Sequence, residues 1–140
     1  QTAIEQNVKI PHDALTFFFK EFEYEERLLS MTIHRGEKRE LRYKTVIKGN
    51  VIVESGAELN LNGMEVRFVD GASIIVDGGV LKANGAKFTA SLDANQTMLV
   101  VKNGALLTIE NAAFHGANIV RAVEVADADV TLVNCTFERC

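Results

Sequence analysis

Four residues in the second half of the chain have side chains suited to acid–base chemistry. They are two aspartates, a histidine and an arginine: Asp70, Asp93, His115 and Arg121. A general acid and a general base must both reach the reacting group, so these residues could act together only if the fold brings them to one place. Two carboxylates there could also hold Ca²⁺, which favours several oxygen ligands. The elements that carry these residues therefore decide whether they form a site.

Four ten-residue segments align without a gap and alternate apolar with polar or small residues. They are AELNLNGMEV (57–66), GVLKANGAKF (79–88), ALLTIENAAF (105–114) and ADVTLVNCTF (128–137). Their last residues, Val66, Phe88, Phe114 and Phe137, recur at spacings of 22, 26 and 23 residues. Alternation with a period of two predicts strands with one buried face. A repeat of this length predicts one coil of a three-sided β-solenoid.

A third strand precedes each pair and adds further inward columns, the first of which is Val51, Ile74, Leu99 and Val123. The position at the sharp bend within each segment is restricted to glycine and asparagine, as Gly63, Gly85, Asn111 and Asn134. Glycine and asparagine tolerate the left-handed backbone conformation. Each strand is therefore predicted to stop where the chain turns a corner with positive φ.

This combination of inward columns, stacked phenylalanines and a Gly/Asn turn column resembles the right-handed parallel β-helix superfamily, the pectin-lyase-like solenoids. The resemblance covers residues 50–140 and implies an all-β, three-sided solenoid of about four coils. The superfamily includes polysaccharide lyases and hydrolases, phage tailspikes, adhesins and surface-layer proteins, and the fold does not choose among them. The charged constellation of the lyases cannot be matched position by position. We therefore interpret Asp70, Asp93, His115 and Arg121 as ordinary polar loop residues, favour a non-enzymatic function, and assign no metal ligand.

The N-terminal region, residues 1–44, is predicted to cap the repeats of residues 45–140. Leu15, Phe18, Phe19, Phe22 and Leu29 fall on helical spacing, which predicts an amphipathic helix over 13–29. A strand interpretation competes, because apolar residues after Phe22 also alternate. The stretch that follows predicts two strands around a turn near Arg35–Lys38, as a hairpin.

Two features suggest contacts with other chains. No cap is visible in the sequence at the last coil, so either the chain is part of a longer solenoid or another chain covers Leu132 and Phe137. Head-to-tail stacking of chains would propagate into a filament when it does not close into a ring. Three apolar residues, Ile52, Ile75 and Val100, also form an outward stripe that we expect to be covered, by the phenylalanine-rich N-terminal segment or by another molecule. The predicted interface is Ile52, Ile75, Val100, Leu132, Phe137 and Cys140.

Composition narrows the function classes. The chain has 140 residues, 47% of them hydrophobic, which suits one domain with a continuous core, and its net charge of −4 argues against nucleic-acid binding. No run of residues is apolar and long enough for a membrane span. Cys135 and Cys140 could form a disulfide or stay free thiols. We predict an extracellular or cell-surface protein, structural or adhesive, that assembles end to end; the alternative is a fragment of a carbohydrate-active protein with a polysaccharide partner.

Overall fold

A computed structural model describes residues 25–28, 30–41, 43–69, 71–90, 97–116 and 121–138 of the chain. The described ranges contain strands and no helix, and so nothing helical in them that could span a membrane. The strands in chain order are β1 (Glu25–Leu28), β2 (Met31–Ile33), β3 (Lys38–Leu41), β4 (Lys44–Ile47), β5 (Val51–Glu54), β6 (Glu58–Asn62), β7 (Glu65–Phe68), β8 (Ile74–Asp77), β9 (Val80–Asn84), β10 (Lys87–Ala90), β11 (Thr97–Lys102), β12 (Leu106–Glu110), β13 (Ala113–His115), β14 (Arg121–Ala126), β15 (Asp129–Val133) and β16 (Thr136–Glu138).

These strands form three parallel sheets, one for each side of a β-solenoid. The first sheet has the order β14-β11-β8-β5-β2, the second β15-β12-β9-β6-β3, and the third β16-β13-β10-β7-β4-β1. The coils predicted over residues 50–140 are confirmed for the residues of that range that the structure describes, and β1 to β4 extend the same sheets towards the N-terminus. All pairing between these strands is parallel, so the chain winds around one axis.

The core lies along that axis and is built from the predicted columns. In the second sheet Leu59, Leu81 and Leu107 pair in register and are fully buried. In the first sheet Val51, Ile74 and Leu99 do the same. Because successive side chains in a strand point to opposite faces, alternation of apolar and polar residues puts every apolar column inside.

The phenylalanine column is confirmed in the third sheet. Register pairs Val66 with Phe88, Phe88 with Phe114, and Phe114 with Phe137. The ring centroids of Phe88 and Phe114 are 4.7 Å apart, with planes at 12°. Phe68, one alternation further along β7, extends the stack with its ring 6.5 Å from that of Phe88. Four rings, those of Phe68, Phe88, Phe114 and Phe137, therefore form one stack on the inside of this sheet.

The corners follow from backbone conformation, as predicted. The φ angles at Gly63, Gly85, Asn111 and Asn134 are 62°, 74°, 52° and 54°. The asparagine side chains also form a ladder between coils, because Asn111 Nδ2 donates to Asn84 Oδ1 at 3.3 Å and Asn134 Nδ2 donates to Asn111 Oδ1 at 2.7 Å. Asparagine therefore has two roles at the corner: it tolerates positive φ, and its amide forms hydrogen bonds to the neighbouring coils.

Two predictions for the N-terminal region need correction. The helix predicted over 13–29 is wrong for residues 25–28, which form β1 and pair in parallel with β4; the rest of that range lies outside the described residues. The two strands after it exist, but they are not a hairpin, because β2 belongs to the first sheet and β3 to the second. The turn between them is one more solenoid corner. Local helical spacing is a weak preference, and an open sheet edge that offers a full ladder of hydrogen bonds overrides it.

Candidate interaction surface

The structure describes two of the four residues with acid–base side chains, and these two lie in different sheets. Asp70 and Asp93 lie outside the described residues. His115 is an exposed residue of β13, in the third sheet, and its Nδ1 lies 2.6 Å from Glu138 Oε1 in the next coil. Arg121 is an exposed residue at the start of β14, in the first sheet, in register with Thr97. No group of three or more His, Cys, Asp or Glu side chains in the described ranges could hold a metal ion.

The His115–Glu138 pair was missed by sequence reasoning, although the signal was present. Register places the two residues opposite each other, because Phe114 and Phe137 are aligned and each is followed by one of them. Stacking of coils therefore explains this contact as an ion pair or hydrogen bond between neighbouring coils. It gives His115 a partner in the neighbouring coil.

The last described coil is the part of the fold where apolar inward side chains remain open. Val101 is fully buried, whereas Val125, its register partner in the last coil, is 49% exposed. In the same way Ile109 is fully buried, whereas its register partner Leu132 is 39% exposed. Phe114 is 1% exposed and Phe137 is 48% exposed. The side chains belong to the same columns, so their exposure comes from position in the stack. We call the inward residues of this coil, Val123, Val125, Val130, Leu132 and Phe137, the terminal face.

The backbone of the same coil is open as well. Each of β14, β15 and β16 ends the strand order of its sheet, so within the described chain it pairs with a neighbour on one side only. A strand edge of this kind presents unpaired N–H and C=O groups that can bond to another strand. The terminal face thus combines apolar side chains with a triangle of open strand edges.

The corner beside this face carries two residues that complete its description. Asn134 is exposed, and its amide Nδ2 bonds to Asn111 of the preceding coil. Cys135 packs against the core, with its Sγ 3.6 Å from the carbonyl oxygen of Ile109. Among the described residues Cys135 is a free cysteine; Cys140, named in the predicted interface, lies outside them, so the disulfide question stays a prediction.

The opposite end of the solenoid has a different character. There a cavity of about 330 Å³ is lined by inward residues of the first coil, Met31, Ile33 and Arg39, together with Thr32, His34, Glu37 and Lys38. Arg39 is in register with Leu59 and therefore stands in a core column. Sequence reasoning missed Arg39 because the predicted columns began only at residue 50. The available signal was its spacing from Leu41: residues two apart in a strand lie on the same face.

The outward apolar stripe predicted from the sequence is present. Ile52, Ile75 and Val100 pair in register on the outer side of the first sheet, and each is half-buried. Polar residues bound the column at both ends, Thr32 in β2 and Glu124 in β14. The stripe is therefore short and lies across the middle coils, away from the terminal face.

No family model, no curated protein and no solved structure matches the chain. The assignment of the fold as a β-solenoid rests on the strand pairing described above, and membership of the pectin-lyase-like superfamily stays a prediction.

Proposed function

We propose that the chain is a structural or adhesive solenoid that associates with a second copy of itself end-on, through the terminal face. The observation that carries this proposal is the contrast within columns between buried and open side chains. Phe114 and Phe137 are equivalent residues of adjacent coils, and only the outer one is exposed. A further layer of apolar side chains on the terminal face would give Phe137 the surroundings that Phe114 already has.

The expected gain is moderate for each side chain and adds up over the face. Apolar surface removed from water contributes about 25 cal/mol per Å². Covering the open parts of Val125, Leu132 and Phe137 therefore contributes on the order of 1 kcal/mol for each residue. Pairing of the strand edges of β14, β15 and β16 would add hydrogen bonds across the same contact.

A second copy suits this face because the molecule already shows what fits on a coil. Inside the chain, each coil packs on the next through apolar columns and a strand ladder on three sides. A second copy presents a coil of the same triangular outline. A small ligand or an unrelated flat surface would not satisfy strand edges on three sides at once.

Size-exclusion chromatography with light scattering over a range of protein concentrations tests the proposal. We expect the wild-type mass to rise above that of the monomer as concentration increases. The double variant Leu132→Glu, Phe137→Glu should stay monomeric, because it places charges in the apolar contact. Leu106→Glu is the matched control, since Leu106 is 37% exposed but points outward from the second sheet, in register with Val80 and Asp129.

Each result has a defined meaning. Wild-type protein that remains monomeric at every concentration contradicts the proposal. Association that Leu106→Glu abolishes and the double variant preserves would contradict the assignment to the terminal face. Circular dichroism of each variant separates loss of association from loss of fold.

A further inference from the structure

Three corners of the solenoid share the dipeptide asparagine–glycine. In each case the asparagine is exposed and the glycine has a φ between 62° and 80°. The pairs are Asn62–Gly63, Asn84–Gly85 and Asn103–Gly104. Glycine has no Cβ to shield its backbone nitrogen, so an asparagine side chain can react most easily with the main chain when glycine follows it.

The reaction in question is loss of the side-chain amide. The backbone nitrogen of the glycine attacks Cγ of the asparagine, an N–C bond forms, and the Cγ–Nδ2 bond breaks. The proton of the attacking nitrogen leaves with Nδ2 as ammonia, and the product is a cyclic imide. Water then opens the ring at either carbonyl carbon and leaves aspartate or isoaspartate. Because the reaction consumes only water and needs no enzyme, the geometry of each corner sets its rate.

The fold holds the attacking nitrogen of all three pairs. Each glycine N–H donates a hydrogen bond to a carbonyl oxygen of the next coil. The N···O distances are 2.8 Å from Gly63 to Asn84, 3.0 Å from Gly85 to Glu110 and 2.6 Å from Gly104 to Asp127. Attack on Cγ requires this bond to break first. Folding therefore slows the reaction at all three pairs, and the contrast between them comes from the side-chain amides.

The amide of Asn103 is held tightly. Its Nδ2 donates to Asp77 Oδ1 in the preceding coil at 2.6 Å. A hydrogen bond to a charged carboxylate is about twice as strong as one between neutral groups. Because the side chain must turn its Cγ towards the nitrogen of Gly104, the reaction at Asn103 has to break this bond as well.

The amide of Asn62 is held least. Its Nδ2 lies 3.5 Å from Glu40 Oε2, at the outer limit for a hydrogen bond. Asn84 is intermediate, since its Nδ2 donates to Glu110 Oε1 at 3.3 Å and its Oδ1 accepts from Asn111 Nδ2 at 3.3 Å. Restraint of the amide thus decreases towards the corner between β6 and β7.

We infer that Asn62–Gly63 is a site of spontaneous deamidation in the folded protein, and that Asp77 protects Asn103–Gly104 from the same reaction. This inference is independent of the proposed self-association. The carboxylate formed at position 62 would lie beside Glu40, so the weak contact would become a repulsion. Isoaspartate would also lengthen the main chain by a carbon atom at this corner. The modification therefore loosens the corner and makes the protein more acidic.

Peptide mapping by mass spectrometry, after incubation of the full chain at mildly alkaline pH, measures the rate at each pair. Each rate is divided by the rate of the same pair in the urea-unfolded chain, which removes the effect of the neighbouring sequence. We expect the normalised rate at Asn62 to exceed that at Asn103 by about tenfold or more, since one additional hydrogen bond of typical net strength corresponds to roughly a tenfold change.

Asp77→Ala tests the protection directly. It removes the acceptor of the Asn103 amide, so it should raise the rate at Asn103 about tenfold and leave the rate at Asn62 within about twofold. Glu54→Ala is the matched control. Glu54 is in register with Asp77 one coil earlier, and its carboxylate contacts His34 instead. It should change neither rate. Circular dichroism checks that both variants keep the fold.

Each outcome bears on the inference. Faster normalised reaction at Asn62 than at Asn103, together with a rise at Asn103 alone in Asp77→Ala, supports it. An Asn62 that reacts only in the unfolded chain, or an Asn103 that reacts as fast as Asn62 in the folded wild type, overturns it. A rise at all three pairs in Asp77→Ala, or at none, overturns the protective role of Asp77.

Discussion

Phe137 stacks on Phe114 with ring centroids 4.9 Å apart and planes only 6° from parallel, yet one ring is buried and the other half-exposed. The pair isolates the effect of position in the solenoid, because residue type, column and ring geometry are shared. It also turns the exposure of the last coil into a measurable difference in stability.

Phe114→Ala should destabilise the fold far more than Phe137→Ala. Removing a buried phenylalanine costs about 3–5 kcal/mol through lost burial and the cavity left behind. We expect less than about half of that cost for Phe137→Ala, because its ring already contacts water on one side. Urea unfolding at a protein concentration low enough to keep the chain monomeric measures both. Equal losses would show that the ring of Phe137 is covered in solution.

The corner at Asn111 should separate backbone strain from hydrogen bonding. Asn111→Gly keeps a residue suited to φ of 52° and removes the amide ladder, a loss of about 1 kcal/mol. Asn111→Ala removes the same bonds and adds about 1–2 kcal/mol for a Cβ in the left-handed region. The expected order of thermal stability is wild type, then the glycine variant, then the alanine variant. An alanine variant as stable as the glycine variant would contradict the strained corner.

Gly79 is required for a different reason, the close approach of the preceding coil. A Cβ there would lie 2.5 Å from the carbonyl oxygen of Glu54 and 2.7 Å from that of Val53. Backbone atoms cannot move aside as a side chain can, so we expect Gly79→Ala and Gly79→Asn to cost about 1–3 kcal/mol or more.

Gly36 is the matched control for Gly79. Its φ is 87°, and a Cβ there would meet nothing within 4 Å. Asparagine tolerates the left-handed region, so Gly36→Asn should retain most of the stability that Gly79→Asn loses. Thermal unfolding monitored by circular dichroism compares the two. Similar losses at both positions would mean that the close approach at Gly79 is relieved without cost.

Glu58 should matter little despite two lysine neighbours. Its Oε2 lies 3.8 Å from Nζ of both Lys38 and Lys82, in the coils on either side. Exposed ion pairs typically contribute about 0.2–1 kcal/mol and are screened by salt. Glu58→Gln is therefore expected to change the free energy of unfolding by less than about 1 kcal/mol, with the difference shrinking at high salt. A larger loss that salt does not reduce would show a role beyond the ion pairs.

Much of this fold could be predicted from the sequence because its determinants are local. Alternation with a period of two identifies the buried face of a strand such as Glu58–Asn62, and the choice of Gly or Asn at position 63 or 111 marks a corner. Repetition then aligns the coils, since each column must present compatible residues to the next. The apolar stripe and the open positions of Leu132 and Phe137 could be predicted in the same way.

The first coil could not be predicted from spacing alone. Residues 25–28 form a strand because β4 offers them an edge, a long-range condition that helical periodicity does not register. Arg39 was missed for a related reason: its core column becomes visible only when β3 is aligned with β6. In the acid–base group, the two members that the structure describes, His115 and Arg121, belong to different sheets. The interpretation of the group as ordinary polar loop residues stays a prediction.

Strand contacts in the described chain are concentrated between neighbours within each sheet. We therefore expect that one whole coil can be deleted or duplicated without disturbing the coils on either side of it. Excising residues 79–104 would join Gly78 to Ala105, the same dipeptide junction that Gly104 makes with Ala105 in the intact chain. The product would be shorter by one rung, about 4.8 Å, with both extremities chemically unchanged. Duplicating the same stretch would lengthen it by an equal step.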